Sequence, residues 1–96
     1  MDAQSLYNFL MAHITKCGGL VSEWYAGIAT SPEDRLFSDH NVDKANGQWA
    51  YEKATNEEEA RSAEKMLLFA GCDGGDGGGI TPTYVYVYRK TGSTRQ

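Results

Sequence analysis

The chain is short of the residues that mark specialised protein classes. It has two cysteines, Cys17 and Cys72, which stand far apart and form no Cys-x-x-Cys pair. A disulfide framework or thiolate zinc site is therefore not expected, and both thiols are read as free. It has two prolines, and no Pro-rich linker or internal repeat divides it, so residues 1–96 are read as one domain. No apolar run approaches the ~20 residues of a membrane helix. The stretch Leu6–Met11 is interrupted by Asn8 and lacks the basic flank and cleavage site of a signal peptide. A cytoplasmic location without membrane contact is the expectation. Basic residues are also scarce: nine Lys and Arg stand against thirteen Asp and Glu, a net charge of -4. Nucleic-acid affinity comes largely from phosphate neutralisation, so this balance argues against a tight non-specific DNA binder. Only a local patch could serve.

What is present fits a small globular core, with 41% hydrophobic and 23% charged residues. From Asp2 to Lys16 the chain reads as an amphipathic helix, with Leu6, Phe9, Leu10, Ile14 and Cys17 near one stripe and Gly18-Gly19 ending it. Val21 to Ala29 is rich in strand formers. There Trp24, Ala26 and Ile28 alternate with Tyr25, Gly27 and Ala29. Ser31-Pro32-Glu33-Asp34 predicts a helix start, with Ser31 as N-cap and the helix running to about His40 or Asn41. A second strand is expected near Gln48–Lys53, after the turn signal Asn46-Gly47. Thr55 to Glu59 opens a further helix that ends at Gly71.

A glycine-rich loop, Gly71 to Gly79, leads into Thr83-Tyr84-Val85-Tyr86-Val87-Tyr88-Arg89, a period-two strand with valines on one face and tyrosines on the other. The loop lacks the Gly-Lys-Ser/Thr ending of a phosphate loop and the ligand spacing of an EF-hand. It reads as a flexible connection that rims a cleft. Residues 91–96 are expected to fray. The element order is α-β-α-β-α-β, and the expected class is α+β: a small three-stranded, mostly antiparallel sheet covered by helices.

Several polar residues carry two readings each. Tyr25 is a half-buried strand tyrosine, yet Gly27 on its face predicts open space or a close approach beside it. Arg35 forms an i,i+4 pair with Asp39 on a wet helix face, or else turns to the sheet and holds a phosphate through paired hydrogen bonds. His40 near a helix end caps it or transfers protons. Glu64 falls in the apolar arc of its helix with Ala60, Ala63 and Leu67, where a carboxylate needs a cation or a route to water.

Together these residues resemble the GIY-YIG endonuclease superfamily. The resemblance is carried by Tyr25-Ala26-Gly27, by Arg35 ten residues after Tyr25, by His40, and by the pair Ala60 and Glu64, over about residues 22 to 70. Two departures stand out. His40 falls one position later than the commonest spacing, and no Gly-Ile-Tyr strand precedes Tyr25. If the last strand neighbours that of Tyr25, Tyr86 can fill the place of the missing tyrosine. The resemblance implies one-metal phosphodiester hydrolysis, with Glu64 holding Mg²⁺ and Arg35 clamping the phosphate. It further implies that Tyr25 or Tyr86 orients or deprotonates the water, that His40 assists proton transfer, and that Gly27 and Arg35 touch substrate. The other function class is the same fold without catalysis. Such a module would bind a nucleotide-type ligand, or, being acidic, inhibit a protein partner with a basic surface, as phage-type inhibitors do.

Overall fold

A computed structural model describes residues 1–75 and 81–96. Helix α1 spans Ala3–Cys17, strand β1 Trp24–Ala29, strand β2 Trp49–Lys53, helix α2 Glu57–Ala70 and strand β3 Tyr84–Arg89. A π-helical turn, Asp34–Asp39, lies between β1 and β2. The sheet order is β1-β3-β2 with antiparallel pairing throughout, so the last strand occupies the centre. The α+β class expected from the sequence is the one found.

Local chemistry sets the helix ends. The Asp2 carboxylate accepts from Ser5 N–H at 2.8 Å and the Asn56 side chain accepts from Glu59 N–H at 2.9 Å, each satisfying an N-terminal donor. Gly18 and Gly71 close the two helices at φ 82° and 125°, where a side chain would be strained. Both helices lie on one face of the sheet. There Leu6, Leu10 and Ile14 of α1 and Ala60, Ala63 and Leu67 of α2 pack on Trp24, Ala26, Ile28, Val85 and Val87. The small alanines of α2 allow close approach to β1 and β3.

Four local expectations are corrected. Phe9 lies off the i, i+4, i+8 row of Leu6, Leu10 and Ile14 and is 44% exposed. Val21–Glu23 forms a single 3₁₀ turn rather than extending the strand, because Glu23 Oε1 accepts from Leu20 N–H at 3.1 Å while Glu23 N–H donates to the Leu20 carbonyl. The predicted helix after Ser31 winds as a π turn over Asp34–Asp39. Residues 91–95 do not fray but are bonded to the segment 38–41.

Part of the glycine-rich segment joins the sheet: Ala26 N–H donates to the Asp73 carbonyl and Asp73 N–H to the Trp24 carbonyl, both at 2.8 Å. This places Asp73 beside Tyr25 on the outer edge of β1. The expectation of a flexible cleft rim at Asp76–Gly79 lies outside the described residues. Among the described residues, no helix is long and apolar enough to cross a membrane.

Candidate functional site

The face of the sheet away from α1 and α2 carries Tyr25 and Gly27 from β1, Tyr86 and Tyr88 from β3, and Trp49 and Tyr51 from β2. Register decides which of them meet. Tyr86 stands opposite Gly27, and Tyr88 opposite Tyr25. The requirement that the last strand neighbour the Tyr25 strand is therefore met. A Cβ on Gly27 would collide with the hydroxyl end of Tyr86. Glycine is needed here because the Tyr86 phenol lies across the backbone. The open space expected beside Tyr25 is thus filled, and Tyr86 fills it.

The π turn supplies the next two residues. On an α-helix of about 100° per residue, a residue five positions on points about 140° away from the first. Here the His40 N–H donates to the Arg35 carbonyl at 2.8 Å, an i→i+5 bond that winds the turn wider. That extra residue lets Arg35 and His40 serve one face despite their late spacing. Leu36, fully buried against Tyr25 and the β3 tyrosines, fastens the turn to the sheet.

His40 is 3% exposed. Its Nε2 and the Tyr86 hydroxyl share a 2.7 Å hydrogen bond, and its Nδ1 lies 2.6 Å from the Arg95 carbonyl oxygen. The ring also packs against Tyr25 and Tyr88, each at a 4.8 Å centroid distance. Burial lowers the His40 pKa most; the Arg95 carbonyl raises it, Arg35 lowers it and Asp39 raises it. The imidazole is accordingly held neutral. Tyr86 and Tyr88 are sealed from solvent, and burial drives both phenols well above the usual tyrosine range. The positive charge of Arg35 works against that shift at Tyr86.

Arg35 Nε lies 3.2 Å from Asp39 Oδ2, at ion-pair distance. The N–H is not aimed at that carboxylate, however, and among the described residues it is buried without a hydrogen-bond acceptor. Glu64 is half-buried on α2, and burial raises its pKa despite Arg61 and Lys65 nearby. Its charge is felt at Tyr86, whose pKa it raises further. Among the described residues Glu64 makes no ion pair, and no group of three or more His, Cys, Asp or Glu gathers there. One desolvated carboxylate suits Mg²⁺ only if water and phosphate oxygens complete its shell, which that hard ion accepts.

The structure thus gathers Tyr25, Gly27, Arg35, His40 and Tyr86 on one face, whereas Glu64 stands on α2, which packs on the opposite face, and is linked to Tyr86 through its charge. Two participants escape a reading of the sequence. Tyr88 was identifiable only as a member of the tyrosine face, and Arg95, which binds His40 through its main chain, carries no signal at all. Compared with known protein families, curated proteins and solved structures, the chain matches none.

Proposed function

We propose that this protein is a GIY-YIG-like, metal-dependent phosphodiesterase acting on nucleic acid, with Tyr86 of the last strand in place of the missing first-strand tyrosine. The observation that supports it best is the bond between His40 Nε2 and the Tyr86 hydroxyl, 2.7 Å long, on the face where Arg35 has a buried N–H without an acceptor. A phenol needs a base and a nearby cation to release its proton at neutral pH. His40 supplies the base and Arg35 the cation, against the burial that lowers the pKa of His40 and raises that of Tyr86. In this reading substrate binding opens Tyr86, sealed in the free protein, to one water; the Tyr86 proton passes to His40 Nε2, and the phenolate takes a proton from that water. The resulting hydroxide oxygen bonds phosphorus as the bond to the leaving sugar oxygen breaks, and that sugar oxygen takes up the proton that His40 releases, which returns the ring to neutral. Arg35 holds the phosphate by charge-assisted hydrogen bonds. Glu64 would hold Mg²⁺, which would supply neutralisation of the developing charge.

The test is cleavage of single-stranded, duplex and branched nucleic acids in Mg²⁺ or Mn²⁺. Wild type should cut, and both Glu64→Gln and Arg35→Ala should lose about 100-fold or more while folded, as for other electrostatic stabilisers of a transition state. A second reading is favoured by the complete burial of Tyr86 and Tyr88: a module that holds a nucleotide without hydrolysing it. It predicts no cleavage on any substrate. It also predicts a nucleotide-dependent rise in Tm that Arg35→Ala abolishes and Mg²⁺ leaves unchanged.

A further inference from the structure

Residues 91–95 approach the site from outside the residues that suggested it. Asn41 Nδ2 donates to the Ser93 carbonyl at 2.9 Å, the Arg95 guanidinium donates to the Ser38 carbonyl at 3.4 Å, and Arg95 N–H donates to the His40 carbonyl at 2.7 Å. A turn closes the segment on itself, with Thr91 N–H donating to Thr94 Oγ1 at 3.0 Å and the Thr94 hydroxyl to the Thr91 carbonyl at 3.1 Å. Main chain and ring of His40 are therefore both bonded to the same residue, Arg95.

Two oxygens lie near Nδ1, the Arg95 carbonyl at 2.6 Å and the Tyr88 hydroxyl at 3.2 Å, and the shorter contact decides the tautomer. A carbonyl oxygen only accepts, so the ring nitrogen 2.6 Å from it, Nδ1, carries the proton. The second lone pair of the same carbonyl accepts from the Tyr88 hydroxyl at 3.2 Å. With Nδ1 protonated and the buried ring neutral, Nε2 presents a lone pair to the Tyr86 hydroxyl. In water a free histidine side chain favours the opposite tautomer, with Nε2 protonated. That form would donate to the Tyr86 oxygen and could accept no proton from it.

We propose that residues 91–95 are a clasp whose Arg95 carbonyl fixes His40 in the Nδ1–H tautomer, making its Nε2 the proton acceptor for Tyr86. Arg95 is then a positioning residue, acting through His40 by its main chain. Its use in catalysis rests on the phosphodiesterase reading; the tautomer does not.

The experiment is a long-range ¹H–¹⁵N correlation spectrum of the full chain labelled at its histidines, recorded at neutral pH. The resonances are assigned against His13→Gln. Wild-type His40 should show the Nδ1–H pattern. Arg95→Pro removes the N–H that ties the clasp to the His40 carbonyl, and Asn41→Ala removes the tie to Ser93; either should bring in the Nε2–H form while the amides of β1 and β3 stay folded. An Nε2–H wild-type ring, or a clasp variant that is folded and still wholly Nδ1–H, overturns the proposal. The wild-type spectrum decides even if Arg95→Pro fails to fold. Cleavage by the folded clasp variants should fall by about 100-fold, the scale of a lost general base. A tautomer change as expected with no cleavage by any variant, wild type included, leaves the clasp standing and removes the phosphodiesterase reading.

Discussion

The same three strands build two faces that differ in kind. Toward α1 and α2 they offer Trp24, Ala26, Ile28, Val85 and Val87, which meet leucine, isoleucine and alanine. Toward the π turn they offer Tyr25, Tyr86 and Tyr88, which meet Leu36 but also His40 and the main chain of residue 95. The first face needs only volume, because apolar burial is non-directional. The second buries hydroxyls and an imidazole, each costly unless it finds a partner. His40, Tyr86 and Tyr88 satisfy one another together with one carbonyl, and Arg35 Nε is left over. The helix side has its own orphan, Trp24 Nε1, but that indole is enclosed by core and sits edge-on to His13 at 5.8 Å. Non-directional packing holds one face, and directional hydrogen bonds add to packing on the other.

Paired substitutions can break that division. Leu10→Ala empties a fully buried site between the helices and the sheet and should cost about 2–5 kcal/mol in urea unfolding. The His40 ring signals should stay where they are, since the loss is one of volume on the far face. Gly27→Ala should cost less, about 1–3 kcal/mol as an overpacked site. It should nonetheless disturb the His40–Tyr86 bond, because the new methyl group meets the Tyr86 hydroxyl. A reversed pattern would erase the distinction between the faces.

A smaller effect comes from pH. Burial lowers the His40 pKa in the folded protein, with Tyr25, Tyr86, Tyr88, Arg35, Asp39 and the Arg95 carbonyl around the ring. Stability from the neutral ring is present in full above the unfolded value of about 6.5. As pH falls below that, the unfolded chain binds a proton that the folded one resists, and stability is lost until pH passes the folded pKa. Glu64, with its pKa raised by burial, contributes in the opposite sense, losing stability as pH rises through its folded value. His13, whose pKa burial also lowers, contributes in the same sense as His40. Subtracting the unfolding curves of His40→Gln from those of wild type at about pH 7.5 and about pH 5 isolates the His40 part. A wild type that loses no more stability than the variant would show the ring is not held neutral.

Much of the architecture was legible because it follows short-range rules. Period-two alternation along residues 83–89 placed the valines and tyrosines on their faces, and Gly71 ended α2 as expected, whereas the residue within 55–59 that caps its start, Asn56, was shown by the structure. The strand order was not legible, since nothing local says that the last strand inserts between the other two. That insertion is what brings Tyr86 to Gly27. The π turn was hidden for a related reason: Ser31-Pro32-Glu33-Asp34 marks a helix start but says nothing of its winding, which depends on how Leu36 and His40 dock. The bonding of residues 91–95 was missed because main-chain carbonyls have no sequence signature. Gly27 was noticed for the right physical reason, a close approach, but the approaching group is a side chain of the same molecule.

The central claim is that the aromatic face does chemistry through the Tyr86–His40 pair. The most direct measurement is the metal-dependent cleavage rate of Tyr86→Phe beside wild type, each normalised to folded protein. The account predicts that wild type cuts and that Tyr86→Phe, which keeps the ring and removes only the hydroxyl bonded to His40, loses about 100-fold or more. Equal rates for the two proteins, or no cleavage by folded wild type, would contradict it.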